Sequence, residues 1–142
     1  MIRHGEALPS SVDSDRPLSD RGVKQGETLA AILKEHHGFQ RVKIYHSPKL
    51  RAEQTASIIS KAFLSTPLLM SNELLPNSDP DIWYALLDSM EEDIVLVSHL
   101  PFIPALFELL AGENDDLTFP TASCLLLESS ENGWALIRQD MS

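Results

Sequence analysis

Arg3, His4 and Gly5 follow an apolar stub, Met1-Ile2, and so place a guanidinium, an imidazole and a glycine in consecutive positions. A guanidinium forks onto an oxyanion through paired N–H donors, and an imidazole, which changes charge near neutral pH, can serve as nucleophile or base. Gly5 lets the backbone turn tightly beside whatever His4 touches. A three-residue pattern is short, and taken alone it fits an ordinary chain terminus as well as it fits a site.

The same arrangement recurs twice: an apolar strand ends, and a residue of phosphate-binding type follows at once. His46-Ser47-Pro48-Lys49-Leu50-Arg51 follows a strand expected over residues 42–45, and Ser98-His99-Leu100-Pro101 follows one expected over residues 94–97. Ligands of open α/β sheets bind beyond the carboxyl ends of the strands. Arg3, His4, Arg51 and His99 are therefore expected to meet at one sheet edge, around a site that a phosphate or sulfate would occupy.

The elements that must carry these residues alternate strand-like runs with helical periods. Residues 7–17 form a polar surface loop beside His4. Ser19 is suited to cap a helix on which Val23, Gly26, Ala30 and Leu33 recur, widened by Leu29 and Ile32, and which His36, His37 and Gly38 end. Ser47 and Pro48 read as N-cap and first-turn proline of a second helix presenting Ala52, Thr55, Ala56, Ile59, Ala62 and Phe63. Arg51 falls in its first turn, where free backbone N–H groups favour an anion.

Residues 67–70 read as a third strand, and Asp79-Pro80 start a helix carrying Ile82, Ala85, Leu86 and Met90. Glu91, Glu92 and Asp93 form a solvated turn. Residues 94–97 have the continuous apolar composition of a strand covered on both faces. After Pro101 comes a helix, apolar nearly all round from Phe102 to Leu110 and expected to be largely buried, and then an exposed acidic loop over 113–116. Residues 122–127 and 134–138 read as strands joined through a turn over 129–133. This order predicts a single domain over residues 1–142, a three-layer α/β/α sandwich around a mostly parallel central sheet.

At 142 residues the chain can bury a core without staples. Its net charge of −10 argues against a nucleic-acid partner, whose affinity rests on Lys and Arg neutralising phosphates, so a phosphate site here must be positive only locally. Cys124 is the single cysteine, which excludes an intrachain disulfide and a thiolate metal cluster, and its apolar surroundings predict a buried thiol. His36 and His37 are adjacent on a helix and point about 100° apart, so no metal is expected, nor any cofactor. No run approaches the ~20 apolar residues that span a bilayer, and no signal-peptide pattern is present, which predicts a cytoplasmic protein without membrane contact.

Arg3-His4-Gly5, Ser47-Pro48 with Arg51-Ala52-Glu53-Gln54-Thr55, and Ser98-His99 before an apolar helix together resemble the histidine phosphatase (phosphoglycerate-mutase-like) superfamily. The pieces occur in family order and span nearly the whole chain. Asp15-Arg16-Pro17-Leu18-Ser19 and Ser98-His99-Leu100-Pro101, in so short a chain, look most like the SixA-type phosphohistidine phosphatases. Family members usually carry a longer apolar strand before the motif, so a first strand that is short or trimmed is expected.

The resemblance implies that His4 accepts the phosphoryl group, that Arg3, Arg51 and His99 hold its oxygens, and that water clears the phosphoenzyme. Arg16 and Ser47 are further candidates for substrate contact, and Glu73, ahead of Glu6, for a proton donor. The implied partner is a phosphohistidine-bearing protein, for example a phosphotransfer domain. The alternatives are a small-molecule phosphate monoesterase of the same superfamily and a non-catalytic phosphate- or phosphoprotein-binding module.

Overall fold

Each run expected to be a strand joins one six-stranded sheet in the computed structural model, which describes residues 1–36, 41–64 and 67–142. The strands are β1 (Ile2–Arg3), β2 (Val42–His46), β3 (Leu68–Met70), β4 (Asp93–Ser98), β5 (Ser123–Ser130) and β6 (Gly133–Met141). The helices are α1 (Asp20–His36), α2 (Leu50–Ser60), α3 (Pro80–Ser89) and α4 (Phe102–Ala111). The strand order is β3-β2-β4-β1-β5-β6; the first four are parallel, and β5 runs antiparallel to both β1 and β6. The carboxyl ends of β1, β2 and β4 thus lie side by side at one edge.

The pleat sends alternate residues to opposite faces. Val42, Ile44 and Val97 pack against Leu29 and Leu33 of α1 and Ala52, Ala56 and Ile59 of α2. Tyr45 and Leu96 face the other way, onto Trp83 and Leu87 of α3 and Phe102 and Leu106 of α4. The result is the expected α/β/α sandwich with a mostly parallel sheet. The acidic 113–116 segment is exposed and Cys124 is buried, both as read from composition.

Several local expectations change. In α1 the buried stripe runs through Gly22, Gly26, Leu29, Ala30 and Leu33, and Val23 is exposed. The stripe is rotated because Gly22, not Val23, touches the loop that follows β1. His37 and Gly38 lie outside the described residues. In α3 the buried residues are Trp83 and Leu87, while Ile82, Ala85 and Leu86 face solvent. The larger Trp83 wins the core side and meets Tyr45 edge-on with ring centroids 4.9 Å apart. α4 buries Phe102, Ile103, Leu106, Phe107 and Leu110 but exposes Leu109, so it has an outer face. The last hairpin is longer than expected, its strands reaching to Ser130 and from Gly133.

β1 is only two residues long and pairs through Ile2↔Val97 and Arg3↔Ser98 on one side and Ile2↔Cys124 on the other. A cavity of about 480 Å3 opens between β4 and β5 beyond Met1, lined by Ile94, Leu96, Leu127 and Trp134 among others. The Met1 ammonium is buried, donates to the Leu125 carbonyl at 2.7 Å, and has its pKa lowered by that burial. Further bonds fix the chain beyond β1. The His4 N–H donates to the Ser98 carbonyl at 3.1 Å, and the Ala122 N–H donates to the carbonyls of Arg3 (3.1 Å) and His4 (3.0 Å). Ala122 reaches both from a left-handed conformation, φ 53°.

The tightest constraint on this segment is glycine against glycine. A Cβ on Gly22 would lie 2.0 Å from the Glu6 carbonyl oxygen, and one on Gly5 would lie 2.7 Å from the Gly22 carbonyl oxygen. Backbone meets backbone there, so neither side can yield by changing rotamer. Gly22→Ala is expected to lower stability by roughly 1–3 kcal/mol, read as an earlier urea midpoint. Gly26→Ala, whose Cβ meets only the Ile58 side chain at 3.2 Å, is expected to cost less. Equal midpoints for the two variants would contradict this packing.

Candidate active site

His4 leaves the carboxyl end of β1 and is 8% exposed. Its Nδ1 lies 2.7 Å from the Gly5 carbonyl oxygen. A carbonyl can only accept, so Nδ1 carries the proton and Nε2 keeps its lone pair. The Gly5 peptide is itself held from the other side: its N–H donates to Thr55 Oγ1 at 3.0 Å, and Thr55 donates to the Arg51 carbonyl at 2.8 Å within α2. Thr55 thus ties the loop carrying His4 to the helix carrying Arg51.

His99 follows β4 and is buried, its ring centroid 5.0 Å from that of His4. His99 Nε2 is 2.7 Å from Ser47 Oγ, which also accepts from the Lys49 N–H at 3.2 Å. These bonds explain why Ser47 does not cap α2 as expected. Its hydroxyl is engaged elsewhere, Lys49 is the N-cap residue, and the helix begins at Leu50. Arg51 remains in the first turn.

The Arg51 side chain is buried, with Nη1 donating to the Asp13 carbonyl at 3.0 Å and Nη2 3.5 Å from Asp13 Oδ2. Arg3 Nη1 donates to the Phe119 carbonyl at 2.7 Å. Arg16 is held by the Leu8 carbonyl at 3.0 Å and pairs with Asp13 Oδ1 at 3.7 Å. Among the described residues, Arg3 Nε, Arg51 Nε and His99 Nδ1 are buried without a hydrogen-bond partner, as is Trp83 Nε1 in the core on the other face of the sheet. Buried polar atoms are almost always paired, and the first three, on the residues that carry the charge and the imidazoles of this edge, have hydrogen-bonding capacity to spare for a polar ligand.

The electrostatics agree. Burial lowers the His4 pKa to about 4, helped by the nearby charges of Arg51, Arg3 and Arg16. Burial likewise lowers His99 to about 3, with His4, Arg51 and Lys49 adding to the effect. Both imidazoles are neutral at physiological pH, and the guanidiniums stay charged. A neutral nucleophile-type imidazole within a cationic pocket is what an incoming oxyanion requires.

The carboxylates proposed as proton donors differ in how they are held. Glu73 is exposed in a short 3-10 turn (Asn72–Leu74) after β3, and its carboxylate makes no hydrogen bond or ion pair among the described residues. Glu6 accepts from Ser19 Oγ at 2.9 Å and Arg21 Nη1 at 3.0 Å, which ties it to the start of α1. Sequence reasoning missed Asp13 and Lys49, whose charges meet at the mouth of the site. It also missed Gly22 and Ala122. Only the glycine offered a signal, since it stands at a helix position where any larger residue would hold a turn better.

Fold and site together define an α/β domain with a cluster of imidazoles and guanidiniums at the carboxyl edge of its sheet. Residues 1–74 match the family described as histidine phosphatase superfamily (branch 1). The chain is 27% identical over 154 residues to a phosphohistidine phosphatase SixA homolog of Haemophilus influenzae, covering 98% of this chain and 93% of that one. It is 32% identical over 117 residues to a protein of Picosynechococcus, covering 78% and 70%. The structure of the protein histidine phosphatase SixA complexed with tungstate superimposes with a TM-score of 0.89 at 26% identity, covering 99% of this chain and 94% of that one. The chain belongs to the histidine phosphatase superfamily and is a hydrolase of the phosphatase class. Among the described residues no helix is long and apolar enough to cross a membrane.

The depressed imidazole pKa values have two consequences. In the ligand-free protein, His4 is expected to stay neutral to about pH 4, so its ring signals in an NMR titration should move only well below the ordinary histidine range. Because the unfolded chain takes up these protons at about pH 6.5 and the folded one does not, the unfolded state binds more protons as pH falls. Stability should therefore decline from about pH 6.5 downward. A His4 ring that titrates near its ordinary value would contradict the burial and charge described here.

Proposed function

We propose that the chain is a cytoplasmic phosphohistidine phosphatase that moves a phosphoryl group from a histidine of a partner protein to Nε2 of His4 and then to water. The observation that carries this reading is the His4 imidazole, neutral, oriented by the Gly5 carbonyl, and flanked by guanidiniums. Its Nε2 lone pair forms a P–N bond as the substrate's P–N bond breaks. Arg3, Arg51 and His99 Nδ1 hold the equatorial oxygens, and because they supply the charge neutralisation the transfer needs no metal. When Ser47 donates its hydroxyl proton to His99 Nε2, Nδ1 carries the hydrogen that reaches the phosphoryl group.

In the second half, water forms a P–O bond, the P–N pair returns to His4 Nε2, and the water protons leave with the phosphate. Similarity to a SixA homolog and to a SixA structure holding tungstate, a tetrahedral oxyanion, supports both the substrate and the site. Glu73 is exposed and its carboxylate has no hydrogen bond or ion pair among the described residues, and a donor not held in place suits phosphohistidine better than an alkyl ester. An alkyl ester must expel an alkoxide, whereas an imidazole leaves as a neutral ring.

Single-turnover rates on a phosphohistidine protein, an alkyl phosphate and p-nitrophenyl phosphate test the proposal. His4→Ala is expected to abolish turnover, and His99→Ala to retain slow turnover, since losing one transition-state donor costs ~10²–10³. Equal residual activity in the two variants would count against separate roles. Glu73→Gln should barely change phosphohistidine hydrolysis. A wild type that prefers alkyl esters, and loses ~10²-fold or more on them with Glu73→Gln, would establish the small-ester reading instead.

A further inference from the structure

Asp13 has no part in the transfer to His4, yet three cations converge on it. It lies in a single 3-10 turn (Asp13–Asp15) between β1 and α1. Its carbonyl and Oδ2 hold Arg51, and Oδ2 also accepts from Lys49 Nζ. Among the described residues Oδ1 has only the 3.7 Å ion pair with Arg16, and the side chain is 54% exposed, so one oxygen retains acceptor capacity toward solvent.

The direction of the reaction places a substrate group there. His4 is 8% exposed and forms the floor. Attacking and leaving atoms lie roughly in line across the phosphorus, so the leaving group points away from buried His4 toward solvent, the side on which the half-exposed Asp13 carboxylate is tied to Arg51. Arg51 links the two, its charge acting on His4 while its Nη atoms are held by Asp13 and its buried Nε has no partner among the described residues. We propose, resting on the phosphohistidine reading, that Asp13 accepts a hydrogen bond from the distal ring N–H of the substrate histidine and thereby selects phosphohistidine over phosphate esters.

The bond counting makes that N–H decisive. When the substrate P–N bond breaks, its electron pair stays on the leaving nitrogen. A ring already protonated on its distal nitrogen leaves as neutral imidazole, and no proton moves; an unprotonated ring would leave as imidazolate, a far stronger base. A carboxylate beside the ring favours the protonated form. Asp13 can serve in this way because the hydrogen bond from Lys49, and then the charge of Arg51, hold its pKa at about 2. A permanently ionised carboxylate accepts from an N–H but has no proton for an alkoxide. The charged groups facing it are Lys49 and Arg51 from the start of α2 and Arg16 from its own loop, and it in turn acts on His99 from the end of β4.

The test is Asp13→Asn, with Asp13→Glu as a charge-retaining companion, measured as single-turnover rates on a phosphohistidine protein and on p-nitrophenyl phosphate across a pH series. The asparagine variant is expected to lose about 10- to 100-fold more on phosphohistidine than on the aryl ester, the worth of one hydrogen bond to a charged group. Its basic limb on phosphohistidine should move to lower pH, because without the neighbouring anion the substrate ring loses its proton earlier. Asp13→Glu should recover part of both effects. Equal losses on the two substrates, with an unmoved basic limb, would overturn the inference and leave Asp13 a tether for Arg51. A wild type that never dephosphorylates the protein substrate would overturn the phosphohistidine reading as well, and the two failures are distinct.

Discussion

Gly5 is the constraint on which the site depends. Its carbonyl fixes the His4 tautomer, its N–H is held by Thr55 of α2, and its Cα is pressed against the Gly22 carbonyl of α1. One residue thus sets which nitrogen of His4 has a lone pair, ties its loop to the helix that carries Arg51, and limits how closely the first helix approaches. A β1 of two residues could not position a nucleophile through strand pairing alone. The burden is carried by bonds to Ser98 at the end of β4, Ala122 in the turn before β5 and Thr55 of α2.

A chain with net charge −10 nevertheless builds a positive pocket, and it does so with few residues. Arg3, Arg51, Arg16 and Lys49 gather where His4 and His99 are buried, and burial keeps both rings neutral. The sign of the site is therefore decided by topology. Parallel strands bring three carboxyl ends together, each followed immediately by a residue that suits phosphate. The cavity between β4 and β5 is lined by none of Arg3, His4, Arg51 or His99. Cavity size is a poor guide to chemistry in this fold.

What the sequence made legible was the part governed by strand ends. Arg3, His4, Arg51 and His99 are adjacent in type to the ends of apolar runs, and a parallel sheet leaves them little choice of place. Helix faces were harder to read. In α3 the sets Ile82/Leu86 and Trp83/Leu87 share the same period, and only the fit of Trp83 against Tyr45 decides between them. Ser47 shows a different limit: its hydroxyl suits a helix cap, but a histidine 52 positions away claims it. Asp13 was illegible because a loop without period gives no clue to which of its charges turn inward. That depends on how the chain crosses from β1 to α1, and Lys49 and Arg51 settle it from outside the loop.

The central claim is that phosphate passes through His4, and trapping the phosphoenzyme tests it most directly. The protein would be mixed with excess phosphohistidine substrate and quenched in alkali, where phosphohistidine survives, and the modified peptide would be located by mass spectrometry. Phosphate on His4, gained and lost at rates that account for turnover, is the expected result. Turnover with His4 unmodified at every time point, or with phosphate on another residue, would contradict it.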